Sequence, residues 1–151
     1  MGYKLLITIC NGDQSIEGRF DLPEKIGRPP CVILCHPHPK YGGNMHNNVL
    51  SEISRYLVKA GIGTLRFNYR GVGMSTGEIE GGKGEISDSI SVAEFASKSQ
   101  FIDGSRLGIA GYSFGGWMSL ETINKTMKEI GPTLWHALAG GEPFLRSDLD
   151  E

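Results

Sequence analysis

The segment Gly111-Tyr112-Ser113-Phe114-Gly115 constrains this chain most, because it lies between an apolar run, residues 107–110, and a stretch of helical character. A serine in a G-x-S-x-G pattern on a strand-to-helix turn has a strained backbone, and small flanking residues let strand and helix approach closely. Such a turn lifts the hydroxyl out of the sheet, where the N-terminal N–H groups of the helix can hold an oxyanion. The pattern predicts a nucleophile elbow, with Ser113 as the nucleophile between the structural glycines Gly111 and Gly115.

The composition is that of one ordinary globular domain. The 151 residues are 39% hydrophobic and 21% charged, which is sufficient material for a core. A net charge of −2 provides no electrostatic footprint for nucleic acid or for a membrane surface. Three cysteines lie in apolar runs that predict buried free thiols, and no segment is typical of a signal peptide or a membrane span. We therefore expect a cytoplasmic protein without a cofactor.

Alternating strand and helix signals predict an α/β fold. Extended runs at 3–10 and 14–22 flank Asn11-Gly12-Asp13, a strong hairpin signal. The later elements are predicted at strand 31–36, helix 44–60, strand 62–67, helix 85–97, strand 106–110 and helix 114–129. A hairpin followed by this alternation predicts a mostly parallel sheet of five to six strands with an N-terminal antiparallel hairpin. This context favours the elbow over a plain glycine-rich turn.

The loop after strand 31–36 is rich in histidine, proline and glycine. In a hydrolase of this architecture, that loop donates one oxyanion-hole N–H, and the residue after the nucleophile, here Phe114, donates the other. The two prolines of the loop have no N–H, so His38 is the first candidate donor and Tyr41 or Gly42 the next.

Two other ligand chemistries are disfavoured. A zinc site would need ligands from the group Cys35, His36, His38 and His46. Neighbours along a strand face opposite sides, so Cys35 and His36 do not easily share an ion, and no metal is predicted. We interpret His36 as a hydrogen-bonded structural histidine of a loop shaped by Gly42 and Gly43. Residues 77–84 nearly fit a phosphate-binding loop, but glycine replaces its final hydroxyl residue.

Four ordered segments resemble the dienelactone-hydrolase-like branch of the α/β-hydrolase superfamily. They are HPHPKYGGNMHNNV at 36–49, TLRFNYRGVGMSTG at 64–77, GEISD at 84–88 and GIAGYSFGG at 108–116. The resemblance implies an α/β-hydrolase fold, Ser113 as nucleophile, and the backbones of His38 and Phe114 as oxyanion hole. It also implies esterase-like or acyl-hydrolase activity on small substrates. Arg70 and Ser75 match a structural loop of the family and are assigned no chemistry.

The resemblance fades in a tail, residues 122–151, where relatives continue with the strands that carry the catalytic acid and histidine. We therefore expect residues 1–151 to form a single, partial domain that is truncated before its C-terminal strands. Residues 133–139 are predicted to return as one strand beside 106–110. That strand would bring Glu142 to the catalytic edge as a candidate acid, and it would leave His136 remote.

Two functions compete on this evidence. In the first, Ser113 attacks a small ester or acyl substrate, and the base is His38, His46 or a histidine of another chain. In the second, the chain is a catalytically incomplete fragment that binds a small acyl ligand or a partner. In both, an uncovered sheet edge predicts a homodimer, because open edges pair with other chains.

Overall fold

The computed structural model describes residues 2–24 and 27–129, and within them one five-stranded sheet carries three α-helices. In chain order the elements are β1 (Tyr3–Asn11), β2 (Gln14–Leu22), β3 (Cys31–Cys35), α1 (Asn48–Lys59), β4 (Gly63–Phe67), α2 (Lys83–Ser97), β5 (Leu107–Gly111) and α3 (Phe114–Glu129). A short 3₁₀ turn, Pro39–Tyr41, lies between β3 and α1. The predicted strand 133–139 lies outside the described residues.

The sheet has the strand order β1-β2-β4-β3-β5. Strands β4, β3 and β5 are mutually parallel, whereas β2 is antiparallel to both β1 and β4. Four of the five strands consequently point the same way and only β2 is reversed. The predicted mostly parallel sheet with an N-terminal antiparallel hairpin is confirmed.

The hairpin closes through a two-residue turn of Gly12 and Asp13, with Asn11 paired to Gln14. Gly12 has a φ of 57°, and glycine adopts this left-handed conformation without steric cost. Cys10, expected to be buried, is exposed instead. It lies on the edge strand β1, where successive side chains face opposite sides and Ile9 takes the inward position.

Helix α1 begins at Asn48, four residues later than the periodicity predicts. The side chain of Asn47 accepts hydrogen bonds from the N–H groups of Val49 and Leu50, and so caps the helix there. Residues 44–46 belong to a loop because the N–H of Met45 donates to the side chain of Asn68. The C-terminus agrees with the prediction, since Gly61 follows the helix with a φ of 88°.

Apolar side chains cover both faces of the sheet. The larger core lies between the sheet and helices α2 and α3, and the smaller one lies beneath α1. Every residue of β3 and β4 is buried, as expected for strands covered on both faces. No helix among the described residues is both long and apolar enough to cross a membrane.

Candidate active site

Ser113 lies two residues past the pairing between Cys35 of β3 and Gly111 of β5, at the carboxyl edge of the sheet. Its φ is 58°, and no other described non-glycine residue has a positive φ. The residue is exposed, and its hydroxyl makes no hydrogen bond to any described residue. Strained backbone of this kind is typical of functional turns. The conformation is the one that the G-x-S-x-G pattern predicts.

The two flanking glycines are required by close backbone contacts. A Cβ atom on Gly111 would overlap the backbone of Gly115, and a Cβ atom on Gly115 would overlap the carbonyl of Cys35. The first turn of α3 therefore lies directly on the ends of β3 and β5. This approach places Ser113 above the sheet edge.

The N-terminus of α3 is directed at the same region. The carbonyl of Ser113 accepts the first helical hydrogen bonds, from Gly116 at 2.9 Å and from Trp117 at 3.3 Å. Phe114, the first residue of the helix, donates its N–H to no other described residue. An N–H at a helix N-terminus is a suitable donor to an oxyanion.

The loop after β3 leaves one more backbone donor unused. Tyr41 and Gly42, the alternative donors, bond to the carbonyls of His38 and Pro39 at 3.0 and 3.1 Å. The N–H of His38, in contrast, has no partner within the described residues. The rings of His38 and Phe114 lie 4.6 Å apart, so the two unused donors belong to residues in contact.

Two glycines give this loop its shape. Gly42 has a φ of 81° and ends the 3₁₀ turn. Gly43 is buried and donates to the carbonyl of His38 at 3.1 Å. A side chain on Gly43 would overlap the carbonyl of Pro37. The loop thus folds back tightly while the N–H of His38 stays unused.

His36 is fully buried and hydrogen-bonded at both ring nitrogens. Its Nδ1 donates to the carbonyl of Pro37 at 2.7 Å, and its Nε2 accepts from the N–H of Tyr69 at 3.3 Å. Burial lowers the pKa of His36 to about 4, although the bond to Pro37 partly opposes this shift. The neutral ring thus joins the loop to the chain that follows β4, which is the arrangement expected of a structural histidine.

The ring of His38 belongs to an aromatic surface beside Ser113. Its Nδ1 accepts from the N–H of Lys40 at 3.1 Å, which assigns the proton of the neutral ring to Nε2. The ring also contacts Tyr41, and Phe114 in turn contacts Trp117. We call these four residues, His38, Tyr41, Phe114 and Trp117, the aromatic rim. Trp117 was not singled out by the sequence analysis, because a tryptophan early in an amphipathic helix resembles an ordinary core position.

The other candidate acid and base residues lie elsewhere. His46 is exposed in a separate groove between the N-terminal hairpin and α1, which neither Ser113 nor His38 lines. Glu142 and His136 lie outside the described residues. Within residues 2–24 and 27–129, Ser113 is therefore brought together with the two N–H donors and not with His46.

Backbone N–H groups of the glycine-rich segment after β4 already bind a carboxylate of the chain itself. The carboxylate of Glu85 accepts from the N–H groups of Glu80 and Gly82, at 2.9 and 2.6 Å. A bound phosphate would need such N–H groups for itself. Arg70 forms two side-chain hydrogen bonds with Asp88, at 3.0 and 2.9 Å, which fix the same loop. No cluster of three metal-ligating side chains occurs among the described residues.

Asn68, which the sequence did not single out, holds the loop after β3 in place. Its side-chain oxygen accepts from the N–H of Met45 at 2.8 Å, and its amide donates to Glu17 at 2.8 Å. The available signal was its position directly after β4, because the ends of parallel strands share one edge.

This fold, with an elbow serine beside two unused N–H groups, is that of an α/β serine hydrolase. Residues 48–147 match the sequence model of the prolyl oligopeptidase family. The chain belongs to this family.

Individual relatives match most of this chain. The uncharacterized protein RP471 of Rickettsia prowazekii is 35% identical over 134 residues, which cover 88% of this chain and 53% of that protein. The chain spans about half the length of the curated relatives it matches.

Solved structures show the same fold. XC6422 of Xanthomonas campestris, an α/β serine hydrolase without a lid, is 35% identical with a TM-score of 0.72, covering 81% of this chain and 56% of that one. Dienelactone hydrolase of Anabaena variabilis is 15% identical with a TM-score of 0.70, covering 90% of this chain and 61% of that one. The resemblance to α/β hydrolases, dienelactone hydrolase included, is thereby confirmed at the level of the fold.

Proposed function

We propose that Ser113 is the nucleophile of an esterase-like site that cleaves small ester or acyl substrates. The observation that carries this proposal is the exposed Ser113 at a φ of 58°, beside the unused N–H groups of His38 and Phe114. The aromatic rim offers an apolar surface next to the hydroxyl, which suits a substrate with an apolar or aromatic acyl group.

The proposed reaction has two halves. The Ser113 oxygen attacks the substrate carbonyl carbon while a base takes the hydroxyl proton, and the two N–H groups stabilise the oxyanion. Collapse of this intermediate expels the alcohol, which leaves with that proton, and the acyl group remains on Ser113. Water then attacks the acyl-enzyme, releases the carboxylic acid and restores the serine.

No described histidine forms a hydrogen bond with the Ser113 hydroxyl. Both ring nitrogens of His36 are engaged, and Nδ1 of His38 accepts from Lys40. His46 lies in the separate groove. We therefore expect this chain to hydrolyse an activated ester only about 10³- to 10⁴-fold faster than the reaction in water, which is the acceleration that remains when a serine hydrolase loses one triad member.

Covalent labelling tests the nucleophile without requiring turnover. A fluorophosphonate probe should modify Ser113 slowly, and peptide mapping by mass spectrometry should locate the adduct there. Imidazole added to the buffer should accelerate labelling, because it supplies the missing base. Ser105→Ala is the matched control, since Ser105 is an exposed serine at the opposite end of β5. Labelling should persist in this control and disappear in Ser113→Ala.

Two outcomes would contradict parts of the proposal. Absence of any adduct on Ser113, even with imidazole, would reject it as the nucleophile and favour a fragment that only binds acyl ligands. Fast stoichiometric labelling that survives His38→Ala and His46→Ala together would show that the chain has another base. The first outcome concerns the serine, and the second concerns only its activation.

A further inference from the structure

A groove of about 840 Å³ lies between the N-terminal hairpin and α1, away from Ser113. We call this groove the hairpin groove. Its charged and polar lining includes Lys4, Arg19, Asp21, His46, Ser51 and Arg66. Strand register explains how they meet. Lys4 pairs with Asp21 across β1 and β2, and Arg19 pairs with Arg66 across β2 and β4. Paired residues share a face of the sheet, so three cations converge there.

One carboxylate is shared by two of these cations. Asp21 accepts from the Nε and an Nη of Arg19 through one oxygen, at 3.1 and 2.7 Å. Its other oxygen accepts from Arg66 at 2.9 Å. Burial raises the pKa of Asp21, but the hydrogen bonds from both guanidinium groups outweigh this effect, and the pKa lies below its ordinary value. Asp21 is thus charged, and the pair of arginines retains a net positive charge.

The remaining charges of the groove do not remove this excess. Lys4 is exposed and makes no ion pair with any described residue. Glu24, the other acid of the lining, has an interaction partner of its own. Arg55 is paired with Glu52, and Lys59 adds a further positive charge.

Both arginines also have unused hydrogen-bond donors. Arg66 is 4% exposed and donates to the carbonyl of Met45 and to Ser51, yet its buried Nε has no partner within the described residues. Arg19 has five N–H groups, and two are directed at Asp21. Like charges directly opposite each other destabilise a sheet, and a second anion would relieve this repulsion.

We propose that the hairpin groove binds the oxyanion of a small organic anion, a carboxylate or a phosphate, between Lys4 and the unused N–H groups of Arg19. The planar guanidinium fork suits both groups. Apolar lining by Tyr3 and Val58 accommodates the rest of the ligand. This site is separate from Ser113 and does not depend on its chemistry.

Calorimetric titration of the full chain with phenyl phosphate and with benzoate, at constant ionic strength, tests the site. The tighter of the two ligands identifies the preferred oxyanion. Arg19→Gln and Lys4→Gln should each weaken binding about tenfold, as expected for loss of a hydrogen bond to a charged group. Arg28→Gln and Lys98→Gln are the controls, because both residues are exposed and lie outside the groove. Each of these substitutions removes the same charge as the groove variants do. Their affinity should stay within about twofold.

A third variant should act in the opposite direction. Asp21→Asn removes the internal carboxylate and should strengthen ligand binding, because the two arginines then lack their anion. Absence of saturable binding by either ligand would overturn the proposal. Equal weakening in the groove variants and in the two controls would also overturn it, since that result indicates binding to net charge alone.

Discussion

At the scale of single residues, the site depends on positions where backbone geometry and burial oppose the ordinary preference of the side chain. Ser113 has a φ of 58°, which L-residues other than glycine rarely adopt. His36 is fully buried, although an imidazole is readily protonated near neutral pH in water. Ser113 therefore costs stability through its backbone, and His36 costs stability only at acid pH, while both shape the candidate active site.

We predict that Ser113→Gly is more stable than the parent chain by about 1 kcal/mol, because glycine adopts a positive φ without strain. Ser113→Ala keeps the Cβ atom and with it the strain, so it should change stability little. Urea denaturation compares the three proteins. Equal stability of the Gly and Ala variants would mean that the turn carries no measurable strain.

We predict an acid-sensitive stability that arises from His36. Its pKa is about 4 in the folded chain and about 6.5 when unfolded, so below pH 6.5 only the unfolded state gains the proton. The contribution of His36 to the free energy of unfolding is complete above pH 6.5. About 3 kcal/mol of it is lost as the pH falls to about 4. Denaturation between pH 7 and 4 measures this loss.

The control for this prediction is an exposed histidine. His36→Gln should be less stable at pH 7 but should lose the dependence between pH 6.5 and 4, while His46→Gln should retain it. An unchanged pH dependence in His36→Gln would assign the effect to another group.

At the scale of elements, the contact between the start of α3 and the end of β3 sets the elbow. Gly115 lies against the carbonyl of Cys35, whereas Gly116, one residue further along, has room for a side chain. A Cβ on Gly116 would lie 3.4 Å from the carbonyl oxygen of Gly111, an ordinary contact distance. Two neighbouring glycines thus have different functions.

We predict opposite effects of alanine at these two positions. Gly115→Ala should destabilise the chain by about 3 kcal/mol, the upper end of the usual cost of overpacking, and should reduce fluorophosphonate labelling of Ser113. Gly116→Ala should be neutral or should stabilise α3 by up to about 1 kcal/mol, because alanine favours a helix over glycine. Thermal and urea denaturation distinguish them. Similar values for both variants would show that α3 does not depend on the contact with β3.

At the scale of the whole molecule, β5 is an edge strand among the described elements. It pairs with β3 on one side only, and its residues from Ile109 to Gly111 are partly exposed. Unpaired N–H and C=O groups of such an edge form hydrogen bonds with a second strand readily.

We predict a homodimer that forms through β5 and dissociates on dilution. Ala110→Lys places a charge on the edge and should shift the chain toward monomer, whereas Gln100→Lys adds the same charge on an exposed surface before β5 and should not. Light scattering coupled to size-exclusion chromatography measures both. A parent chain that stays monomeric at high concentration would contradict the prediction.

The sequence predicted every described α-helix and β-strand, and most boundaries within two residues, because apolar periodicity and glycine positions act locally. The start of α1 was missed by four residues, since the loop before it is held by Asn68, a residue distant in sequence. For the loop after β3, the sequence left His38, Tyr41 and Gly42 as candidate N–H donors to an oxyanion. Only the folded loop shows that Tyr41 and Gly42 use their N–H groups internally.

The sequence by itself determined the α/β alternation, the elbow at Ser113 and the fold family, because each depends on residues close together along the chain. Tertiary structure decided which of the histidines lie near Ser113: His38 lies against Phe114, whereas His46 lies in the hairpin groove. It also brought Arg19 and Arg66 together, 47 positions apart in the chain, through the pairing of β2 with β4. Strand order and register set such contacts, and these depend on how all the strands pack together rather than on any local pattern.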